Sequence, residues 1–140
     1  MQDLKKIIME EIGLYTDNTG CIIDQDTIQP VKFRNKNLKE DMSKGFRKND
    51  IVFDPVNNLK QMESLFKYAT NKDNIDVLSY GSHLNKDGTY TCIVCTNDST
   101  IESKGYNNPT LGYIENMLSL YDNKMDLSEY DIVEEEEDKE

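Results

Sequence analysis

The chain has 140 residues, 36% of them hydrophobic and 31% charged, enough for one domain with a real core and a well-solvated surface. Sixteen Lys and Arg against 27 Asp and Glu leave a net charge of −11, which argues against general affinity for nucleic acid or an anionic membrane and favours basic partners. No apolar run approaches the ~20 residues that span a bilayer, and acidic residues interrupt the apolar part of MQDLKKIIMEEIGLY, unlike a signal peptide.

Three Cys without a secretory signal fit free thiols in a reducing, intracellular compartment. Usage leans to Lys, Asn, Ile, Asp and Tyr, with no Trp. AT-rich coding sequences push composition this way, in some bacteria and many of their phages.

In chain order, residues 3–15 place Leu4, Ile8, Ile12 and Tyr15 about four apart, with Ile7 beside them, which predicts an amphipathic helix. TDNTG follows as a turn. Residues 20–34 read as a short hairpin in which CII and VKF flank DQDTIQ, Pro30 assigning the second strand to an edge or a bulge. Within 35–49, a short helix between Asn37 and Gly45 is the expectation.

DIVFD (50–54) reads as a strand. Asp54-Pro55 supplies a cap and a first-position proline for a helix burying Leu59, Met62, Leu65, Phe66 and Ala69. IDVLSYGSHL (75–84) and TYTCIVCTN (89–97) are strands joined by the turn NKDG. A polar loop, DSTIESKGYN, leads to Asn108-Pro109 and a second helix, with Leu111, Ile114, Met117, Leu118 and Tyr121 on its buried side. EYDIV (129–133) closes as a last strand.

Residues 50–133 thus read β-α-β-β-α-β, the ferredoxin-like order, with two helices on one face of a small antiparallel sheet. The expected plan is one α+β domain over 1–133, with an N-terminal helix, a hairpin, a basic arm (35–49) and this core, followed by an acidic tail at 134–140.

Cys92 and Cys95 form a CxxC inside a predicted strand. Residues three apart on a strand point to opposite faces with backbones about 10 Å apart, so the pair suits neither a shared metal nor an easy disulfide. Cys21 is remote and His83 is the only histidine, so the sequence completes no zinc set. The thiols read as small apolar residues.

CIIDQDTI (21–28) resembles in outline the first motif of haloacid-dehalogenase-type phosphatases, an apolar strand followed by two aspartates and a threonine. Thr27 follows Asp26 directly, whereas that motif interposes a residue. The larger doubly wound domain and the later lysine and acidic pair of that family have no counterpart here. Asp24 and Asp26 are hard oxygen ligands suited to Mg²⁺ or Ca²⁺, set against a polar hairpin tip held by Asp and Thr hydrogen bonds. His83 has Ser79, Ser82 and Asp87 nearby, but neighbours along one strand make no triad. Neither Gly-rich phosphate-loop pattern occurs.

The stretch 31–48 sets Lys32, Arg34, Lys36, Lys39, Lys44, Arg47 and Lys48 against Glu40 and Asp41, a local balance of +5, with Phe33 and Phe46 interleaved. It reads as a partner-binding basic arm or as a nucleic-acid footprint of phosphate contacts and stacking faces. An RNA-recognition fold has Phe53 and Tyr90 in its favour but lacks the K/R-G-F/Y pattern. Glu134, Glu135, Glu136, Glu137 and Asp138 give the tail too little apolar content to fold alone.

No catalytic, cofactor or metal constellation is expected from these residues. The leading expectation is a non-enzymatic interaction or assembly protein with protein partners, a small component of a phage virion. The alternatives are a single-stranded nucleic-acid binder regulated by its acidic tail and an acidic DNA mimic.

Overall fold

Gly13 adopts φ 89° and ends the first helix, α1 (Leu4–Ile12), its N–H returning to the Met9 and Glu10 carbonyls. Asp3 caps the other end through the Lys5 and Lys6 N–H groups. The helix is therefore shorter than its hydrophobic stripe suggests. Tyr15, expected on that stripe, lies instead in strand β1 (Leu14–Thr16) and is 41% exposed. The computed structural model describes residues 3–18, 22–31 and 54–131.

Contacts gather the chain into two compact units, residues 1–75 and 76–140. In the first, β1 pairs antiparallel with β2 (Ile22–Asp24), and β2 with β3 (Gln29–Pro30), in the order β1-β2-β3. The expected N-terminal helix and hairpin are both present, with Pro30 on an edge strand as its missing N–H requires. Val31 N–H bonds the Ile22 carbonyl just beyond the paired strands.

Helix α2 (Leu59–Lys72) also belongs to this unit. Its cap is Asn58, which accepts from the Gln61 N–H, so the expectation of a helix capped by Asp54 with Pro55 at its first position is corrected. Asp54 sits one turn earlier, donating its N–H to Gln61 Oε1 and accepting from Asn57. Met62, Leu65, Phe66 and Ala69 are buried as their spacing predicts, but Leu59, in the first turn, is 37% exposed.

The second unit is a sheet backed by a helix. Strands β4 (Val77–Leu84) and β5 (Tyr90–Thr96) form the expected hairpin, with Gly88 at φ 92° in its turn. The stretch expected as a polar loop contributes a third strand, β6 (Thr100–Glu102), paired with β5 so that Ile101 faces Val94. Helix α3 (Pro109–Leu120) starts from the Asn108 cap with Pro109 in its first turn, and packs on β5 and β6. Gly112 permits the close approach: a Cβ there would stand 2.6 Å from Cys92 Sγ. Leu111, Ile114, Met117 and Leu118 fill the interface, and Tyr121 is the half-buried C-cap.

The α+β class, with helices and small antiparallel sheets, is what the molecule shows. Over the described residues 54–131 the order is helix, three strands, helix and a 3₁₀ turn, which departs from the ferredoxin-like order. EYDIV forms no strand over its described residues, Ser128–Tyr130 being a 3₁₀ turn, and α2 lies in the other unit from the β4-β5-β6 sheet. The strand expected at 50–54 lies outside the described residues but for Asp54, and the helix expected at 37–45 wholly so.

Candidate functional site

The DQDTIQ turn is fastened by hydrogen bonds of its own residues. Asp24 Oδ1 accepts the Asp26 N–H (2.8 Å), Thr27 Oγ1 accepts the Gln29 N–H (3.3 Å), and Ile28 N–H closes the turn on the Asp24 carbonyl (2.8 Å). These are the turn hydrogen bonds expected of a polar hairpin tip. Asp24 itself is 4% exposed, and Tyr68 Oη donates to its Oδ2 at 2.7 Å. Lys72 Nζ stands 3.5 Å from the same oxygen and 3.4 Å from Asp26, and donates to the Ile12 carbonyl at 2.6 Å.

One lysine thus joins the last turn of α1, the β2–β3 turn and α2. Tyr68 and Lys72, four apart on α2, share one helix face. Burial opposes ionisation of Asp24, but the Tyr68 hydroxyl, the Asp26 N–H and Lys72 outweigh it and hold the carboxyl below the ordinary value of 3.8. Burial and the bond to Asp24 push the Tyr68 phenol above its usual range. A phenol held protonated and a carboxylate already occupied by donors form a structural clamp, the reverse of an activated acid–base pair. No group of three His, Cys, Asp or Glu suited to a metal occurs among the described residues.

In the second unit, Cys92 faces α3, fully buried, and its thiol donates to the Pro109 carbonyl at 3.4 Å. Burial, then the Glu115 charge, push that thiol up to about 12, far from nucleophilic. Cys95 is half-buried on the opposite face beside Thr100 Oγ1 (3.8 Å). The strand geometry separates the two sulfurs as their spacing requires, and the ladder's irregularity falls between Val77 and Ser79, away from them. His83 is exposed on β4 opposite Thr91; Asp87 turns away to the Thr89 N–H and hydroxyl.

A second set of hydrogen bonds fastens the end of the described chain. Tyr106 Oη donates to Glu115 Oε1 (2.7 Å) and accepts the Leu127 N–H (3.1 Å). The Asp131 carboxylate accepts the Asn107 and Asn108 N–H groups at 2.8 and 3.2 Å, beside the start of α3. Asn116, fully buried, donates to the Cys92 carbonyl at 2.9 Å.

The residues expected to bind partners, Lys32, Phe33, Arg34, Lys36, Lys39, Lys44, Phe46, Arg47 and Lys48, lie outside the described residues, as do Glu134, Glu135, Glu136, Glu137, Asp138 and Cys21. The division of the chain nevertheless reorganises its charge. Residues 1–75 carry 12 acidic and 12 basic side chains, while residues 76–140 carry 15 Asp and Glu against four Lys. The entire −11 excess therefore sits in the C-terminal unit. Net charge read over the whole chain hides this; only the unit boundary exposes it. No helix among the described residues is long and apolar enough to cross a membrane.

No family model matches the chain, and no curated protein or solved structure matches it.

Proposed function

We propose that this chain is a non-enzymatic interaction or assembly protein whose C-terminal unit binds a basic protein partner. The observation that carries the reading is the charge partition: a neutral first unit and a second one holding the whole excess of −11. A concentrated negative field steers cationic partners and sets docking orientation more than it sets affinity. The buried Cys92 thiol supports the same reading, because burial keeps it from the nucleophilic thiolate form. Membership of a phage particle is supported by the AT-leaning composition.

The basic stretch 31–48 with Phe33 and Phe46 favours a second reading, a single-stranded nucleic-acid binder, and one experiment separates the two. Fluorescence anisotropy of the full chain is measured with a labelled Lys-rich peptide and with a labelled single-stranded oligonucleotide, at about 0.1 M and about 1 M salt, between which screening shortens from ~10 to ~3 Å. The expected result is peptide binding that weakens at high salt and no oligonucleotide binding. Oligonucleotide binding without peptide binding overturns the proposal.

A further inference from the structure

We infer that the outer edge of β4 is a docking strand for an extended, Lys- or Arg-bearing segment of another protein, which adds to the β4-β5-β6 sheet as a fourth strand. The inference rests on the basic-partner reading above and gives that partner a conformation and a place.

Among the described residues the sheet order leaves β4 at an edge, and β4 is eight residues long where the opposite edge strand, β6, has three. Asn85 N–H donates to the Thr89 carbonyl at 2.7 Å, which makes Leu84 and Tyr90 a non-hydrogen-bonded pair; Ser82 and Cys92, two residues on, are another. The backbone N–H and C=O groups of Ser82 and Leu84 therefore point out of the sheet, away from β5. Both residues are exposed.

Proteins blunt such edges with charge, proline or brevity. VLSYGSHL has no Lys, Arg, Asp, Glu or Pro, and it leaves Leu78 66% and Leu84 63% exposed near its two ends. This is the profile of a sheet edge that takes up a strand: main-chain bonds hold the guest and flanking side chains select it. Exposed Asp76 and Asp87 bracket the strand within the acidic unit. Pairing two copies through β4 would bring together two units of −11 each. The field thus selects a cationic strand over a second copy of the chain.

The test uses the full chain and an octapeptide alternating Lys and Val, beside the same peptide N-methylated at every residue, which keeps its charge but leaves no N–H on either edge to form a ladder. The expected result is binding of the first peptide, at least about tenfold weaker binding of the second, and slowed amide exchange at Ser82 and Leu84. Ser82→Pro removes one outward N–H and leaves the β4–β5 bonds in place, since that N–H takes no part in them. With circular dichroism and Tm unchanged, it is expected to weaken the first peptide by about tenfold. Should that variant misfold, Leu84→Lys, which sets a like charge beside the guest strand, is expected to weaken binding in its place.

Equal binding of both peptides, or undiminished binding by a folded Ser82→Pro, overturns the inference while the basic-partner reading stands. A dimer in native mass measurement that Ser82→Pro abolishes overturns the choice of guest. Failure of both peptides to bind at low salt overturns the basic-partner reading, and the edge inference with it.

Discussion

Asp24 shows how one buried carboxylate can fasten the β2–β3 turn to α2. Buried at 4% exposure, its carboxylate receives the Tyr68 hydroxyl and the Asp26 N–H, with Lys72 beside it. Because these donors depress its folded-state pKa below the ordinary 3.8, its contribution to stability is fully present above that value and is lost as pH falls through the lower folded one. Asp24→Asn is expected to cost about 1–3 kcal/mol at neutral pH, since a neutral amide replaces a carboxylate among its donors. It should also flatten the acid limb of stability against pH. Tyr68→Phe should cost a similar ~1–3 kcal/mol while keeping the acid limb and moving it to higher pH, because the carboxylate loses one of the donors that depress its pKa. Urea unfolding of the three proteins over an acid pH series checks both; an unchanged acid limb in Asp24→Asn would remove Asp24 from the clamp. The cluster was not readable in the sequence. Asp24 and Tyr68 are 44 residues apart, and the only local signal was that Tyr68 and Lys72 share a helix face.

At the level of elements, legibility followed whether the determining partner was local. Asn108-Pro109 carries cap and helix start in two adjacent residues, and NKDG carries a complete turn, so α3 and the β4–β5 hairpin were legible. Strand β6 was not: TIE has one apolar residue, and its pairing is provided by β5, several residues back. EYDIV alternates like a strand, but Asp131 is drawn into the Asn107 and Asn108 N–H groups and the chain turns at Ser128–Tyr130. The β2–β3 turn was legible as a hairpin tip, yet not its strain. Ile28 takes φ 57° there, a left-handed conformation that costs an L-residue roughly 1–2 kcal/mol. At 63% exposure it has little packing to offset that cost. Ile28→Gly relieves the strain and loses about 0.5–1 kcal/mol to chain entropy, so a net gain of up to about 1.5 kcal/mol is expected. Thermal unfolding measures it, and a lower Tm would show that Ile28 has packing worth more than its strain.

At the scale of the whole molecule, charge and folding separate. Residues 134–140 carry six acidic side chains and one Lys, −5 of the C-terminal unit's −11, and they follow the point at which Asp131 fastens the described chain beside α3. Removing them leaves the Tyr106–Glu115–Leu127 and Asp131 bonds in place. The shortened chain should therefore keep the Tm of the full one. Its field should fall, with −6 remaining in the unit, and long-range steering responds to that field chiefly through the association rate. For the Lys-bearing peptide the expected outcome is a slower on-rate, a weaker salt dependence and a nearly unchanged off-rate, since the β4 edge that would hold the guest strand is untouched. A nucleic-acid binder shielded by its tail gives the opposite sign: truncation would strengthen oligonucleotide binding and steepen its salt dependence. Stopped-flow association at two salt concentrations reads both, and faster association of the peptide after truncation would contradict an acidic unit that recruits its partner by charge.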